Sequence, residues 1–315
     1  MALKGFFYTI SVLIIIMPMI ALVSYYAYLS TQSASAGVSK TVSVEASNFI
    51  NSIDFDFERA LEISAKSAIV SAVDRVVSDG VPLTDARLAL RTLVVNGSFP
   101  NDNQTYPIMS SNHISNWISR MQNLSQYYGL NTTIAVQTEN VSVYHYDTFT
   151  LVFAANVSVF AQPLSNPEDF NFSRTYPAQI TVTIEKMEDP LYALNTQGLL
   201  ARVFMQNTSD VNNVTGLDNA ILNKLYVPNP DAPDFFDRLE GKTSSSPFGC
   251  ETFVNINELI AQDLPVHNQS MVDHIYFNET LPIEAYRVNN SAYSWFRIDC
   301  AHAYRYHVDD SVEEC

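Results

Sequence analysis

The hydrophobic pattern begins with an uncharged apolar run near the start of the chain. It extends from Gly5 to Leu29, and Lys4 precedes it. A helix rises about 1.5 Å per residue, so about 20 apolar residues cross the ~30 Å hydrocarbon core of a membrane. The run therefore predicts a transmembrane helix over residues 5–29. Because cationic flanks stay in the cytoplasm, Lys4 predicts a cytoplasmic leader at residues 1–4 and an outside location for the rest of the chain.

A helical period continues after this run. Apolar residues recur every three or four positions between Lys40 and Asp79, which is the spacing of an amphipathic helix. They are Val42, Ala46, Phe49, Ile53, Phe57, Leu61, Ala65, Ala68, Ala72 and Val76. Gly80 and Pro82 end the helix, because glycine favours the left-handed position after a helix and proline cannot extend it. Residues 30–79 are therefore predicted to form a helical stalk.

Short helices and alternating strands follow the stalk. Asp85 caps a predicted helix that ends at Val95, and a second helix is predicted from Ser115 to Tyr128. Three segments that alternate and are rich in β-branched residues then predict an antiparallel meander. These segments are 133–144, 148–161 and 174–185.

The pattern shortens again in the last third of the chain. Proline and asparagine accumulate at 227–235, which predicts an internal boundary region. Short strands are predicted near 251–254, 274–277 and 295–299. The predicted fold class is α+β, with the transmembrane helix continuing into the long amphipathic helix. Residues 80–190 form an extracellular head in which helices pack on the meander, and residues 191–315 form a C-terminal α+β lobe.

The net charge and the positions of the asparagines indicate which partners and which location to expect. The net charge of −16 disfavours binding of nucleic acid and other polyanions. Twelve of the 26 asparagines begin an N-x-Ser/Thr sequon, which predicts an N-glycosylated surface outside the cell. The sequons are at Asn96, Asn103, Asn123, Asn131, Asn140, Asn156, Asn171, Asn207, Asn213, Asn268, Asn278 and Asn289. The predicted location is the cell membrane, with a single span and the bulk of the chain extracellular.

Three interpretations of the N-terminus stay open. The first is an uncut anchor. The second is a secretory signal cut at Ala34-Ser35-Ala36, although the apolar run is longer than an ordinary signal core. The third depends on Lys4-Gly5-Phe6, where a short basic leader meets the apolar helix directly.

The Lys4-Gly5-Phe6 junction resembles the class III signal of archaeal type IV pilins and related surface proteins. In that family a prepilin peptidase cuts after the glycine, and the hydrophobic helix stays on the mature subunit. Ile10 departs from the bacterial pilins, many of which carry glutamate there. The resemblance implies a processing site at Lys4, Gly5 and Phe6. It also implies that the N-terminal helix packs against copies of itself or against other membrane or pilus subunits.

Five further phrases resemble a second group, the uncharacterised archaeal single-pass membrane proteins with a comparable N-terminal anchor. The phrases are EDPLYAL (188–194), FFDRLEG (235–241), SPFGCETFVNINEL (246–259), VDHIYFN (272–278) and SWFRID (294–299). This resemblance implies an archaeal cell surface and membrane lipid as a partner. It implies no activity.

Motifs of catalysis and cofactor binding are not found in the sequence. Lys242-Thr243 ends like a phosphate-binding loop, but Phe236 stands where the first glycine is required. A cluster of possible metal ligands lies near the C-terminus, without the paired C-x-x-C geometry of a zinc site. Its members are Cys300, His302, His307, Asp309, Asp310 and Cys315. We therefore predict no catalytic residues, no metal and no cofactor.

The three cysteines allow one disulfide and leave one thiol over. We predict the pair Cys250–Cys300, because both residues lie next to predicted strands while Cys315 ends an acidic tail that we expect to be mobile. A Cys300–Cys315 pair, three reduced thiols, and a metal at Cys300 and Cys315 are the alternatives.

Together these observations predict a membrane-anchored, N-glycosylated extracellular protein with a structural or interaction role and no enzymatic activity. A pilin-like or pseudopilin-like subunit is the first possibility. The alternative is an uncut single-pass anchor that presents a ligand-binding or partner-binding head.

Overall fold

A computed structural model describes the backbone of residues 2–102, 104–164, 171–209, 211–278, 283–312 and 315. Side chains are described for the same residues apart from 2–16, 30–43 and 45. One helix, α1, runs from Ala2 to Asp79 and contains Pro18. It ends where the sequence predicts, because Gly80 adopts a positive φ of 64° and its N–H donates to the Val76 carbonyl at 3.0 Å.

The prediction of a membrane span at 5–29, and with it the single-pass membrane location, is wrong. No helix in the described part of the chain combines the length and the apolar character that crossing a membrane requires. Of the predicted span, side chains are described only from Met17 to Leu29.

The second half of α1 forms the centre of the main hydrophobic core. Nine of the ten predicted apolar positions are buried, and the tenth, Val42, lies outside the described side chains. Two helices pack beside α1: α2 at Ala86–Asn96 and α3 at Ile114–Tyr127. The Asp85 side chain caps α2 as predicted, accepting the Leu88 N–H at 2.9 Å. The Trp117 ring on α3 lies 5.5 Å from the Phe57 ring on α1.

A four-stranded antiparallel sheet completes this core. Its strands are β1 at Leu130–Ala135, β2 at Ser142–Asp147, β3 at Thr150–Pro163 and β4 at Phe172–Thr183. β4 pairs with one edge of β3. The other edge of β3 pairs with two strands in succession, with β2 along its first half and with β1 along its second half. The predicted meander is therefore present, with its first segment interrupted by a short 3-10 turn at Thr138–Asn140. The inner face of the sheet packs on α1 and α3.

The C-terminal lobe is built from very short elements around a second hydrophobic cluster. Its helices are α4 at Pro190–Asn195, α5 at Val214–Asn223, α6 at Phe235–Leu239, α7 at Ile256–Ala261, α8 at Asp273–Tyr276 and α9 at Cys300–Arg305. Its strands are β5 at Val227–Pro228, β6 at Cys250–Glu251, β7 at Tyr286–Arg287 and β8 at Arg297–Ile298. β5 pairs with β6, and β7 pairs with β8. The overall class is α+β.

Two predictions for this lobe are wrong. The strand predicted at 274–277 is a helical turn, α8, which is closed by backbone hydrogen bonds from the Tyr276 N–H to the Val272 carbonyl at 2.8 Å and from the Phe277 N–H to the Asp273 carbonyl at 2.9 Å. The disulfide joins Cys300 to Cys315, with a Cα–Cα distance of 5.4 Å, and Cys250 is free and buried. The chain turns back after α9, and an isolated bridge between Val288 and Val312 holds the tail beside the lobe. Cys315 is therefore close to the start of α9.

Candidate functional site

The first candidate feature is an exposed apolar part of α1, Met17–Leu29, which we call the apolar segment. Every residue in it is exposed, and none carries a charge. Nine large apolar side chains contribute, with exposed fractions of 39–69%. They are Met17, Met19, Ile20, Leu22, Val23, Tyr25, Tyr26, Tyr28 and Leu29. A helix that is apolar on all sides is normally buried in a larger structure, so this surface is adapted to contact another apolar surface.

The second candidate feature is a buried cluster of ionisable side chains in the C-terminal lobe, which we call the ionic centre. Its members lie on or next to five short elements, which are the helices α4, α6, α8 and α9 and the strand β6. They are Asp189, Arg238, Glu251, Asp273, His274, Asp299 and His302. The exposed fraction of each residue is at most 7%. Charged groups are rarely buried unless they are paired, so each contact in this cluster matters for stability.

His302 links two carboxylates in the ionic centre. Asp299 precedes α9 and accepts the His302 N–H at 3.1 Å, which caps the helix. The same carboxylate lies 2.9 Å from Nδ1 of the His302 ring. On the other side of the ring, Nε2 is 3.1 Å from Oε2 of Glu251. The cap therefore positions the imidazole and aims Nε2 at Glu251.

Glu251 is held by two further side chains. Asn229 donates to Oε2 at 2.6 Å, and the Tyr306 hydroxyl donates to Oε1. Glu251 lies on β6, and Asn229 directly follows β5, so pairing of the two strands brings them together. The carboxylate has no exposed surface.

His274 approaches the same carboxylate from α8. Its Nδ1 is 3.8 Å from Oε2 of Glu251 and 3.5 Å from Oδ1 of Asp273. Neither contact is a hydrogen bond, and the buried Nδ1 atom therefore has no hydrogen-bond partner. One ligand atom from each of Glu251, His274 and His302 lies within 4.8 Å of the other two.

Arg238 joins the ionic centre to the main core. Its guanidinium pairs with Asp189 at 2.5 Å and with Asp273 at 2.9 Å, and it donates to the Cys250 carbonyl. Tyr226 donates to the same Asp189 oxygen at 2.7 Å. Asp189 also caps α4 by accepting the Leu191 N–H at 2.9 Å. Arg238 therefore ties together α4, α6, α8 and β6.

Proton affinities in the ionic centre follow from these contacts. Burial by itself lowers the pKa of His302, but the hydrogen bonds and charges of Asp299 and Glu251 raise it to about 10. Burial raises the pKa of Asp299, but its hydrogen bonds to His302 and Ser270 lower it to about 2. The contacts with His302 likewise hold the pKa of Glu251 below its ordinary value, against the effect of burial. At neutral pH the His302 imidazolium is therefore held between two carboxylates.

A surface cleft reaches the edge of the ionic centre. It has a volume of about 400 Å³, and Pro228, Arg305 and Tyr306 are among the residues that line it. The Tyr306 hydroxyl contacts Glu251 on the inner side of this wall. Tyr306 therefore both lines the cleft and contacts the Glu251 carboxylate.

The predicted site residues lie in several places. The side chains of Lys4, Gly5 and Phe6 lie outside the described residues, and so does Asn103. Eight sequon asparagines are exposed: Asn96, Asn123, Asn131, Asn140, Asn156, Asn171, Asn213 and Asn268. Asn278 and Asn289 are half-buried, and Asn207 is buried. Of the possible metal ligands noted near the C-terminus, only His302 joins the ionic centre, since Cys300 and Cys315 are bonded to each other and His307 is exposed.

Sequence reasoning missed the other members of the ionic centre. They are separated by up to 113 positions, from Asp189 to His302, and none forms a spaced motif. Each of the five phrases that carry the second resemblance nevertheless supplies at least one member. EDPLYAL contains Asp189, FFDRLEG contains Arg238, SPFGCETFVNINEL contains Glu251, VDHIYFN contains Asp273 and His274, and SWFRID contains Asp299. These five phrases were therefore the feature of the sequence that could have indicated the ionic centre.

Comparison of the chain with protein-family models, with curated proteins and with solved structures found no match.

Proposed function

We propose that this protein is a structural or interaction subunit, pilin-like in arrangement, that associates with further copies of itself through the apolar segment of α1. The observation that carries this proposal is that thirteen consecutive uncharged residues on one helix are all exposed. Helices pack against each other at 8–10 Å through such side chains. Each copy would contribute its own apolar segment to a shared helical core.

The energetics favour association over exposure. Burying one large apolar side chain contributes about 1.5–3 kcal/mol, and the apolar segment has nine. Burial of most of them therefore offsets the association cost of about 4–15 kcal/mol. Contact between two apolar segments also buries no unpaired charge, because the segment is uncharged. Identical segments from two copies can therefore pack against each other.

The continuity of α1 supports a structural role for the head. The same helix that carries the apolar segment is buried in the main core from Ala46 onwards. Packing of the apolar segments would therefore fix the positions of the heads. Such coupling suits a subunit of an ordered assembly, in which the exposed sequons of the head would face outwards.

Sedimentation equilibrium of the full chain tests this proposal. The wild type should have a mass of at least two copies, and Val23→Glu should shift the distribution towards one copy, because a carboxylate would be buried in the apolar contact. Phe55→Glu is the matched control, since Phe55 is an apolar residue of the same helix that is 80% exposed and lies outside the apolar segment. It should keep the wild-type mass. A wild type that sediments as one copy, or a Val23→Glu variant with unchanged mass, would overturn the proposal.

A further inference from the structure

Three side chains of the ionic centre are arranged like the ligands of a metal site, although they form no metal-binding motif in the sequence. Three atoms converge: Oε2 of Glu251, Nε2 of His302 at 3.1 Å and Nδ1 of His274 at 3.8 Å. Ligands about 2.0–2.2 Å from a tetrahedral metal lie roughly 3.3–3.6 Å from each other. The two separations from Oε2 bracket this value, and all three ligand atoms lie within 4.8 Å of one another, so a metal ion can bind between them after the side chains adjust.

The surrounding contacts orient these atoms as they are oriented in metal centres. Metal-binding histidines usually donate their second ring N–H to a carboxylate, which fixes the tautomer. Asp299 provides that carboxylate for Nδ1 of His302, and Ser270 in turn donates to Asp299 at 2.7 Å. Asn229 and Tyr306 hold the two oxygens of Glu251. The ring and the carboxylate are therefore positioned before any ion arrives.

The unpartnered nitrogen of His274 is the independent observation. The His274 side chain is 9% exposed, and its Nδ1 lies in the centre with no hydrogen-bond partner. A buried polar atom without a partner costs free energy in the folded state. A metal ion bound between Nδ1 of His274, Nε2 of His302 and Glu251 would supply this atom with a partner.

The balance of charges in the ionic centre also favours a bound cation. Four carboxylates, those of Asp189, Glu251, Asp273 and Asp299, are buried together, and the cations that contact them are the Arg238 guanidinium and the His302 imidazolium. Buried carboxylates require compensating positive charge. A divalent cation provides it and replaces the proton of the His302 imidazolium, as metals do when they bind histidine.

We propose that Glu251, His274 and His302 bind one divalent transition-metal ion of the zinc class. Two imidazoles and one carboxylate form a ligand set that zinc accepts, and it contains no sulfur. The three ligands come from β6, α8 and α9, and all three are buried. The ion would therefore have a structural role and hold these short elements together.

Zinc retention by the full chain tests the proposal. The protein, with its disulfide intact, is treated with a chelator, given one equivalent of Zn²⁺ and passed through gel filtration before elemental analysis. The wild type should retain one ion per chain. His274→Gln and His302→Gln should each bind Zn²⁺ at least about 100-fold more weakly, since they remove a ligand, and Asp299→Asn should bind about 10–100-fold more weakly, since Asp299 acts as a positioning residue.

His307→Gln is the matched control, because His307 is an exposed histidine only five residues from His302. It should retain one ion. Loss of Zn²⁺ from this variant, or equal retention by the wild type and His274→Gln, would overturn the proposal.

A second measurement needs no variant and so does not depend on the folding of a substituted protein. Co²⁺ bound to the wild type should give visible d–d bands of a four-coordinate nitrogen and oxygen site, without the charge-transfer band of a thiolate. Failure to bind either Zn²⁺ or Co²⁺, or a thiolate band, would overturn this ligand set.

Discussion

Asp299 contacts His302 twice, through the backbone N–H at 3.1 Å and through the ring Nδ1 at 2.9 Å. The first contact begins helix α9, and the second sets the position and the charge of the ring. Folding of this short helix and assembly of the ionic centre therefore depend on the same carboxylate. Asp189 has the same double role, since it caps α4 and pairs with Arg238. Two helix caps of this lobe, Asp189 and Asp299, are therefore also anions of its buried cluster.

The first prediction concerns Arg238. Arg238→Met leaves Asp189 and Asp273 buried without their cation, although methionine replaces much of the volume of the side chain. Because removal of one partner of a buried ion pair leaves an uncompensated charge, the free energy of unfolding should fall by about 3–5 kcal/mol. Urea denaturation followed by circular dichroism measures this change.

Lys66→Met is the control for Arg238→Met. Lys66 pairs with Glu62 one helical turn away on α1, and both side chains are about half exposed. An exposed pair of this kind contributes about 0.3–0.5 kcal/mol. Similar losses in the two variants would show that burial of Arg238 has no special energetic effect.

The second prediction concerns acid stability and Asp234. Burial by itself raises the pKa of Asp234, but the His145 imidazole, whose Nε2 lies 3.4 Å from Oδ2, and hydrogen bonds from the Asp237 N–H and the Ser246 hydroxyl lower it well below its usual value of 3.8. Between the lowered pKa and 3.8 the unfolded chain binds more protons at this position than the folded chain does. The stabilisation is therefore complete above pH 4 and is lost as the pH falls through the lowered pKa.

Asp234→Asn isolates this contribution. Asparagine can still accept the Phe236 and Asp237 N–H groups that Asp234 accepts at 2.8 and 3.0 Å, but it has no charge to lose. The gap in unfolding free energy between wild type and variant should be largest near pH 5 and should narrow towards pH 2. Parallel stability curves across this range would contradict the assignment.

The third prediction concerns the disulfide. Cys315→Ser opens a loop with a sequence separation of 15, and closure of such a loop contributes about 3 kcal/mol. We expect thermal unfolding of the lobe at a lower temperature in this variant, measured by calorimetry. Cys250→Ala should leave the Cys300–Cys315 cross-link intact in a non-reducing peptide map. A Cys250 cross-link in the wild type would contradict the structure.

Local signals in the sequence were sufficient for the end of α1, the start of α2 and the strands of the sheet. Gly80 ends α1 because a left-handed backbone is needed there, and Asp85 begins α2 because its side chain accepts a helix N–H. The strands of the sheet are long enough for alternation to be visible, as β3 has fourteen residues. These features depend on neighbours in the chain, so a pattern reveals them.

The C-terminal lobe could not be predicted in this way. Most of its helices have six residues or fewer, and one turn such as α8 has no period to detect. Its ionic centre is formed by contacts between distant positions, for example between Glu251 and His302, which are 51 positions apart in the sequence. The tail that was expected to be mobile is held by Tyr304, whose hydroxyl donates to the Cys315 carbonyl. Such contacts follow from tertiary packing and leave no local pattern.

The last prediction concerns the sequons. Asn131 and Asn156 lie on the outer face of the sheet, exposed and opposite Gln162 and Pro177 of the neighbouring strands. A glycan attached there extends into solvent without displacing the core, so we expect both to be occupied in native material.

Asn207 is the internal control, because it is buried and its Oδ1 accepts the Ser209 N–H at 3.0 Å. A glycan on its side chain would require this part of the lobe to open, so we expect Asn207 to be unmodified. Glycopeptide mass spectrometry of the native protein measures occupancy at all three positions. A glycan on Asn207, or bare asparagines at both 131 and 156, would show that exposure in this fold does not determine which sequons are modified.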